Sequence, residues 1–424
     1  MPPHLKSHKA RIAVVGGGVA GIHAAYRLQN DFEVVLFEAE PDLGGHAFSV
    51  PLPSGNRVDT GFMVFNEKSY PRFMEFLTDL GVSEHIQFSE MSFSILNEKQ
   101  NLNFCLNRGL SLFFHQKWNL VKPSFYRNFL ELMRFRKKAW RDLNSSSFPD
   151  VRLREYVSVF SPSFLENVLL PICISVWSVK AARILEFPAK TVASFLANHG
   201  YLQGHPGHRW RSLNGSSQVY VKAFEQKFSG KIITGKRIKE IRRCPDGVFV
   251  DSEHFDAVVC ALPANRVLEV IKDPNSFEQS IFSKWEYEKT LITLHSDSKA
   301  LGKAHEEPAL WSSWNILNDS KGTSVTYYLN RVQSLNEDAS WFVTLGSAER
   351  IDPEKVLQQT HFSHPIFNFN SVSTQVELNR AREHDGIIYC GSYFGYGFHE
   401  DAINSALEAS RVCLRRFSGS SPES

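Results

Sequence analysis

A chain of 424 residues is longer than one hydrophobic core normally serves, so at least two domains are expected, and a formal net charge of +2 gives no field that would mark a nucleic-acid binder. Apolar residues at 42% and charged residues at 22% exclude a disordered or fibrous protein. Six cysteines, at 105, 173, 244, 260, 390 and 413, stand singly with no Cys-x-x-Cys pair, which supports neither disulfides nor a metal site and suits a reducing compartment.

The chain opens on a polar, basic stretch from Met1 to Arg11 with no signal core, so a cytoplasmic protein is expected. Arg11 to Val15 is a short β-rich run, Gly16-Gly17-Gly18 a turn, Val19 to Asn30 a helical pattern, and Glu33 to Phe37 a second strand. That order predicts a β-α-β unit with a parallel strand pair. The region from Tyr70 to His199 reads as mainly helical, with helices over Tyr70 to Leu80, Pro123 to Leu143 and Phe164 to Val179. The last of these is too interrupted, by Glu166, Asn167 and Pro171, for a membrane span.

Strand patterns return at Ile232-Ile233, Gly247 to Asp251 and Ala257 to Leu262, followed by a short helix from Asn265. Leu291 to His295, Ser324 to Leu329 and Trp341 to Leu345 predict an antiparallel sheet in a second domain. Ile387 to Cys390 and a helix from Glu400 close the chain, and Ser418 to Ser424 has a disordered composition. The expected fold is α/β, a Rossmann-type domain (1–66, 205–272 and 380–424) interleaved with a mixed α+β substrate domain (67–204 and 273–379).

Gly16-x-Gly18-x-x-Gly21 sits between a strand and a helix, where a dinucleotide site needs it. The first glycine makes the turn, the second lets a diphosphate approach the backbone, and the third lets helix and strand pack. Val19 and Ala20 open the helix, whose amides favour an anion. Glu38, at the end of the second strand, is spaced to accept ribose hydroxyls.

Beyond Glu38, the doublet Gly44-Gly45 followed by Asp59-Thr60-Gly61 resembles the amine oxidase and phytoene desaturase superfamily of flavoproteins. The resemblance implies FAD, with the doublet running close to the flavin-side diphosphate; where the superfamily usually has arginine, this chain has His46. Ile238 matches a position that meets the adenine, and Cys390-Gly391 with Gly397-Phe398-His399-Glu400-Asp401 matches the C-terminal return to the flavin. A helix starting at Phe398 would aim its amides at the flavin pyrimidine. Val58 to Glu67, Asn198-His199-Gly200, Thr326 to Arg331 and Gly395 to Asp401 are similar to a subgroup of predicted NAD/FAD-binding oxidoreductases. That subgroup resembles the oxidase-like region of some plant cyclopropane fatty acid synthases, which implies a lipid acyl substrate.

The FAD-binding candidates are therefore Gly16, Gly18, Val19, Ala20, Gly21, Glu38, Gly44, Gly45, His46, Gly61, Ile238, Gly391, Phe398 and His399. Catalytic candidates are Lys289, His46 and Phe398, with His199 as a further residue that could face the flavin; no metal is expected. Phe398 matches an aromatic-cage position of amine oxidases, without an evident second member. The expected reaction is dehydrogenation, reduction or double-bond relocation on an apolar substrate. The alternatives are an oxygen-dependent amine oxidase and a non-redox lipid- or prenyl-binding protein of the same fold. Nine Lys or Arg against Glu131 alone between residues 108 and 141, interleaved with aromatics, predict a peripheral contact with anionic membrane.

Overall fold

The computed structural model describes residues 9–100, 102–106, 121–145, 148–203, 209–308, 311–346 and 348–418. Arg11–Val15 (β1), Val19–Leu28 (α1) and Glu33–Phe37 (β2) form the expected unit, with β1 and β2 parallel from Arg11↔Glu33 to Val15↔Phe37. Ile12, Ala13 and Val14 are fully buried, as a central parallel strand covered on both faces requires.

Six strands make this sheet in the order Lys231–Ile233, β2, β1, Ala257–Cys260, Ile387–Tyr389, Glu383–His384. All pairs are parallel except the last, where Glu383–His384 runs antiparallel to its neighbour. The chain leaves β1 toward β2 and Lys231–Ile233 on one side, while Ala257–Cys260, Ile387–Tyr389 and Glu383–His384 lie on the other. Parallel sheets open a ligand crevice at the carboxyl ends of strands at such a reversal. The C-terminal helix His399–Ser418 packs against α1.

The second sheet has seven strands, ordered Val356–Pro365, Tyr287–His295, Phe342–Leu345, Gly322–Tyr328, Trp314–Asp319, Phe93–Asn97, Leu102–Leu106. It is antiparallel apart from the pairing of Trp314–Asp319 with Phe93–Asn97. Phe93–Asn97 and Leu102–Leu106 correct the reading of residues 70–199 as mainly helical. Phe93 and Ile95 alternate into the core over a span too short to stand out beside longer helical periods. A three-stranded antiparallel meander, Ile241–Cys244, Gly247–Val250 and Glu253–Phe255, lies in sequence between Lys231–Ile233 and Ala257–Cys260 of the first sheet.

Pro123–Leu143 is the long helix expected. The segment predicted as one helix from Phe164 instead joins an α-turn, Pro162–Phe164, a π-helical stretch, Leu165–Leu169, and an α-helix, Leu170–Trp177. Pro171 has no N–H and would press its ring on the carbonyl of Asn167; widening the preceding turn relieves that clash. Ser178, in the left-handed region at φ 55°, ends the helix before Val179. Among the described residues no helix is long and apolar enough to cross a membrane.

Candidate functional site

The turn after β1 is built by steric necessity. Gly16 has φ 108°, and a Cβ there would lie 2.7 Å from Ala261 O, at the end of the neighbouring strand. A Cβ on Gly21 would lie 1.8 Å from Gly16 O, so only glycine lets α1 pack so close to β1. Gly18 is different: a Cβ there would meet nothing within 4 Å. It is the N-cap of α1 and offers no side-chain cap, and the first turn holds no acid. The helix therefore presents uncapped amides and partial positive charge to an open space.

Glu38 closes the other side. Its Oε2 accepts from Gly17 N at 2.6 Å and its Oε1 from Glu40 N at 2.9 Å, which fixes the carboxylate while leaving lone pairs on both oxygens. The backbone around Ile238 runs alongside, with Lys236 N donating to Glu38 O and Glu38 N to Ile233 O. The doublet lies directly on the turn: Gly44 N donates to Gly17 O at 2.9 Å, and Gly45 has φ 59°, where a Cβ would come within 3.2 Å of Gly18 Cα.

His46 follows the doublet into the protein. It has accessible surface although protein surrounds it, so it faces an internal cleft, and burial lowers its pKa. Its ring stacks on Phe362 at 4.9 Å and meets His364 at 5.5 Å. Burial pushes His364 down to about 3, and its Nδ1 is buried with no hydrogen-bond partner among the described residues. Gly61 packs against the backbone of His46, where a Cβ would lie 2.1 Å from His46 O, and Phe62 N donates to the same oxygen.

That contact is anchored by Asp59, a residue the sequence marked only as part of a motif. Its carboxylate accepts from Ser49 Oγ at 2.7 Å, Ser217 N at 3.0 Å, Ser217 Oγ at 2.5 Å and Gln333 Nε2 at 2.7 Å. Burial raises the carboxyl to about 6 against those donors.

At the C-terminal segment, Gly391 N donates to Ser405 Oγ, and a Cβ on Gly391 would strike the Tyr393 ring at 2.4 Å. The helix begins at His399, as expected, but its neighbouring acids are structural. Asp401 accepts from Phe398 N at 2.9 Å and caps its own helix; Glu400 accepts from Arg72 N and Phe73 N and caps the helix Pro71–Asp79. The amides of His399 and Glu400, in the first turn, have no intrahelical acceptor.

The His399 side chain is buried, stacked on Phe62 at 3.6 Å with its Nε2 3.3 Å from Tyr220 OH, and burial lowers it to about 3. It is a neutral core aromatic, so its backbone alone is placed to meet a ligand. Phe398 stacks on Phe195 at 4.8 Å, and Phe195 on His199 at 4.0 Å. His199 Nδ1 lies 3.0 Å from Phe195 O.

Lys289 is not brought to this site. It is exposed and pairs with Ser363, while the adjacent pair Thr290 and Phe362 carries the ring that touches His46. Alternation along a strand puts Lys289 on the opposite face. Phe362, His364, Phe195 and the Asp59 partners were missed in the sequence, since each reaches the site from a distant segment with no local motif of its own.

A glycine turn with open space above Gly18, uncapped helix amides and a fixed acid at the end of β2 together define a dinucleotide-binding oxidoreductase fold. Residues 19–291 match the family of flavin containing amine oxidoreductases, and the chain belongs to it. Over 98 residues it is 28% identical to a zeta-carotene desaturase of Zea mays, a match covering 23% of this chain and 17% of that relative, so the chain aligns with under a fifth of the desaturase's length.

Among solved structures, putrescine oxidase with putrescine bound superposes with a TM-score of 0.70 at 11% identity, covering 96% of this chain and 99% of that one. A CLA-producing fatty acid isomerase from P. acnes superposes with a TM-score of 0.65 at 12% identity, covering 96% and 98%. These establish the shared fold. The protein is an FAD-dependent oxidoreductase, and the room over Gly18 and the lone pairs of Glu38 fit the diphosphate and ribose of FAD.

Proposed function

We propose that this oxidoreductase acts on a neutral, apolar substrate of the lipid acyl class, with FAD held by the Gly16–Gly21 turn, Glu38, Gly44-Gly45-His46, Gly61, Ile238, Gly391 and the His399-Glu400 amides. When bound, the flavin accepts or donates a hydride, so the protein's task is to position a carbon chain against it and keep water out. The observation that carries the reading is the lack of free charge among the residues named at and behind the site. His46 and His364 are kept neutral by burial, and the carboxylates of Asp59 and Asp401 are consumed by internal donors. A second observation supports it: Phe398 and Phe195 stack in contact at 4.8 Å, which leaves no slot for an amine between these two rings. The fold itself hosts both a putrescine oxidase and a fatty acid isomerase, so the choice rests on these side chains.

The test is anaerobic mixing of oxidised and reduced protein with fatty acyl substrates and, separately, with primary amines and polyamines, while flavin absorbance is followed. Acyl affinity is expected to rise by about 0.8 kcal/mol, roughly fourfold, per methylene until the cleft is filled. Bleaching by an amine, with acyl compounds silent in both redox states, overturns the reading in favour of an amine oxidase.

The same substrate class suits a second proposal, that Pro123–Leu143 rests on an anionic bilayer. Val121 (72% exposed), Leu130 (62%) and Trp140 (42%) share the outer surface with exposed Arg127, Arg134 and Lys137. The acids do not oppose them: Glu131 is buried and accepts from Ser161 N and Oγ, and Asp142 is paired with Lys138 and Arg141. Arg108 and Lys117, part of the predicted patch, lie outside the described residues. Liposomes containing acidic lipid are expected to sediment the protein at low ionic strength and to release it as salt shortens the screening length. Equal sedimentation with neutral liposomes removes the proposal.

A further inference from the structure

We infer that the solvent face of the Ile241–Phe255 meander holds a first-row divalent cation, Zn²⁺ by its donor set, on Cys244, Asp246 and His254. The strand registers make the cluster. Cys244 pairs with Gly247 across the first turn, and Phe249 pairs with His254 across the second, so alternation sets Cys244, Gly247, Phe249 and His254 on one face. On the opposite face Ile241, Val248, Val250 and Phe255 are fully buried.

Gly247 lies in the middle strand between the two ligand-bearing strands. Because it has no side chain, the first and third strands can meet across it: a Cβ there would lie 3.1 Å from His254 Nε2. His254 Nε2 points into that gap, 3.5 Å from Asp246 Oδ1, and is shielded from solvent with no hydrogen-bond partner among the described residues. Its ring is braced edge-on by Phe249 at 5.3 Å. The thiol, imidazole and carboxylate ligand atoms all lie within 4.8 Å of one another.

Ligand atoms around a tetrahedral zinc sit about 3.3–3.8 Å apart, so a small rotation of the turn closes the set and leaves the fourth position to water. Thiolate and carboxylate together balance the two charges of the ion, and the Cys244 proton, which the thiol shares with Asp246, leaves on binding. The cations near it are each paired with another acid: Arg242 with Glu240 at 3.5 Å and over Phe249 at 4.7 Å, Arg243 with Glu278, and Arg416 with Glu383. A sulfur, a nitrogen and an oxygen donor favour zinc over magnesium or calcium. The absence of a Cys-x-x-Cys pair hid the site, because its third ligand comes from the far strand of the meander.

The experiment uses the FAD-loaded, tag-free protein, stripped with chelator and titrated with Zn²⁺. One ion per chain is expected, with one sulfur in its coordination shell by X-ray absorption. Cys244→Ser and His254→Gln should each weaken binding by more than about tenfold, a loss that even outer-shell partners cause at metal sites. Both substitutions lie on the solvent face, so thermal midpoints measured with chelator should stay at the wild-type value. The described cysteines at 173, 260, 390 and 413 are buried, so slower alkylation of Cys244 in the presence of Zn²⁺ gives an independent readout. A sulfur-free shell, wild-type affinity in Cys244→Ser, or alkylation of Cys244 that ignores Zn²⁺ overturns the inference.

Discussion

Gly18→Val is expected to yield a folded protein that no longer retains FAD. Gly18 has φ −71° and ψ 177°, extended backbone that valine adopts readily, and a Cβ there touches no protein atom within 4 Å. The side chain therefore fills only the space above the helix amides, where the diphosphate must lie. Overpacking of about 1–3 kcal/mol at that contact corresponds to roughly a ten- to hundredfold weaker Kd. Glu38→Ala is expected to be milder, since it removes ribose acceptors and leaves Gly17 N without its partner but blocks nothing.

Gly21→Val supplies the contrast. Its Cβ would fall 1.8 Å from Gly16 O, so that variant should lose the fold with the cofactor. Flavin per chain after gel filtration, read beside the far-UV melting curve, separates the cases. Wild-type flavin content in Gly18→Val would show that this turn does not hold the cofactor.

What could be read from the sequence follows from how local each feature is. The β1–α1–β2 unit was legible because its glycines, strand pattern and acid fall within thirty residues and each has a steric or electrostatic reason to be there. Val356–Pro365 was not. It is the edge strand of the second sheet, and its Gln-Gln-Thr-His sequence lacks the apolar run that marks a buried strand.

At the site, the positions of Gly18, Glu38, Gly45 and His46 were legible, but the tasks of Glu400 and Asp401 were not. Which helix a carboxylate caps depends on which helix end arrives beside it, and Glu400 meets Arg72 and Phe73 across 328 and 327 residues of chain. Lys289 shows the cost of a one-residue uncertainty. In a strand, a shift of one moves a side chain from the cleft to the other face of the sheet.

A large stability effect is also expected at Asp59, and it has a pH signature. Asp59→Ala removes the acceptor shared by Ser49, Ser217 and Gln333 in a site that is 2% exposed. Each stranded buried donor costs about 1–3 kcal/mol, so a loss of about 3 kcal/mol or more is expected. Because Thr60 and Gly61 lead straight to the backbone of His46, FAD retention should fall along with the melting temperature.

Asp59→Asn isolates the charge. Burial raises the wild-type carboxyl from an ordinary 3.8 to about 6, so the folded protein takes up a proton before the unfolded chain does. The contribution of Asp59 to stability therefore grows as pH falls from about 6 to about 3.8, and asparagine, which does not titrate, cannot follow it. The stability of wild type minus that of Asp59→Asn should rise by up to about 3 kcal/mol between pH 7 and pH 4. Denaturant unfolding at half-unit pH intervals measures it directly. A signed difference that stays constant or falls on acidification would mean that the four donated hydrogen bonds outweigh burial and keep the carboxylate ionised throughout.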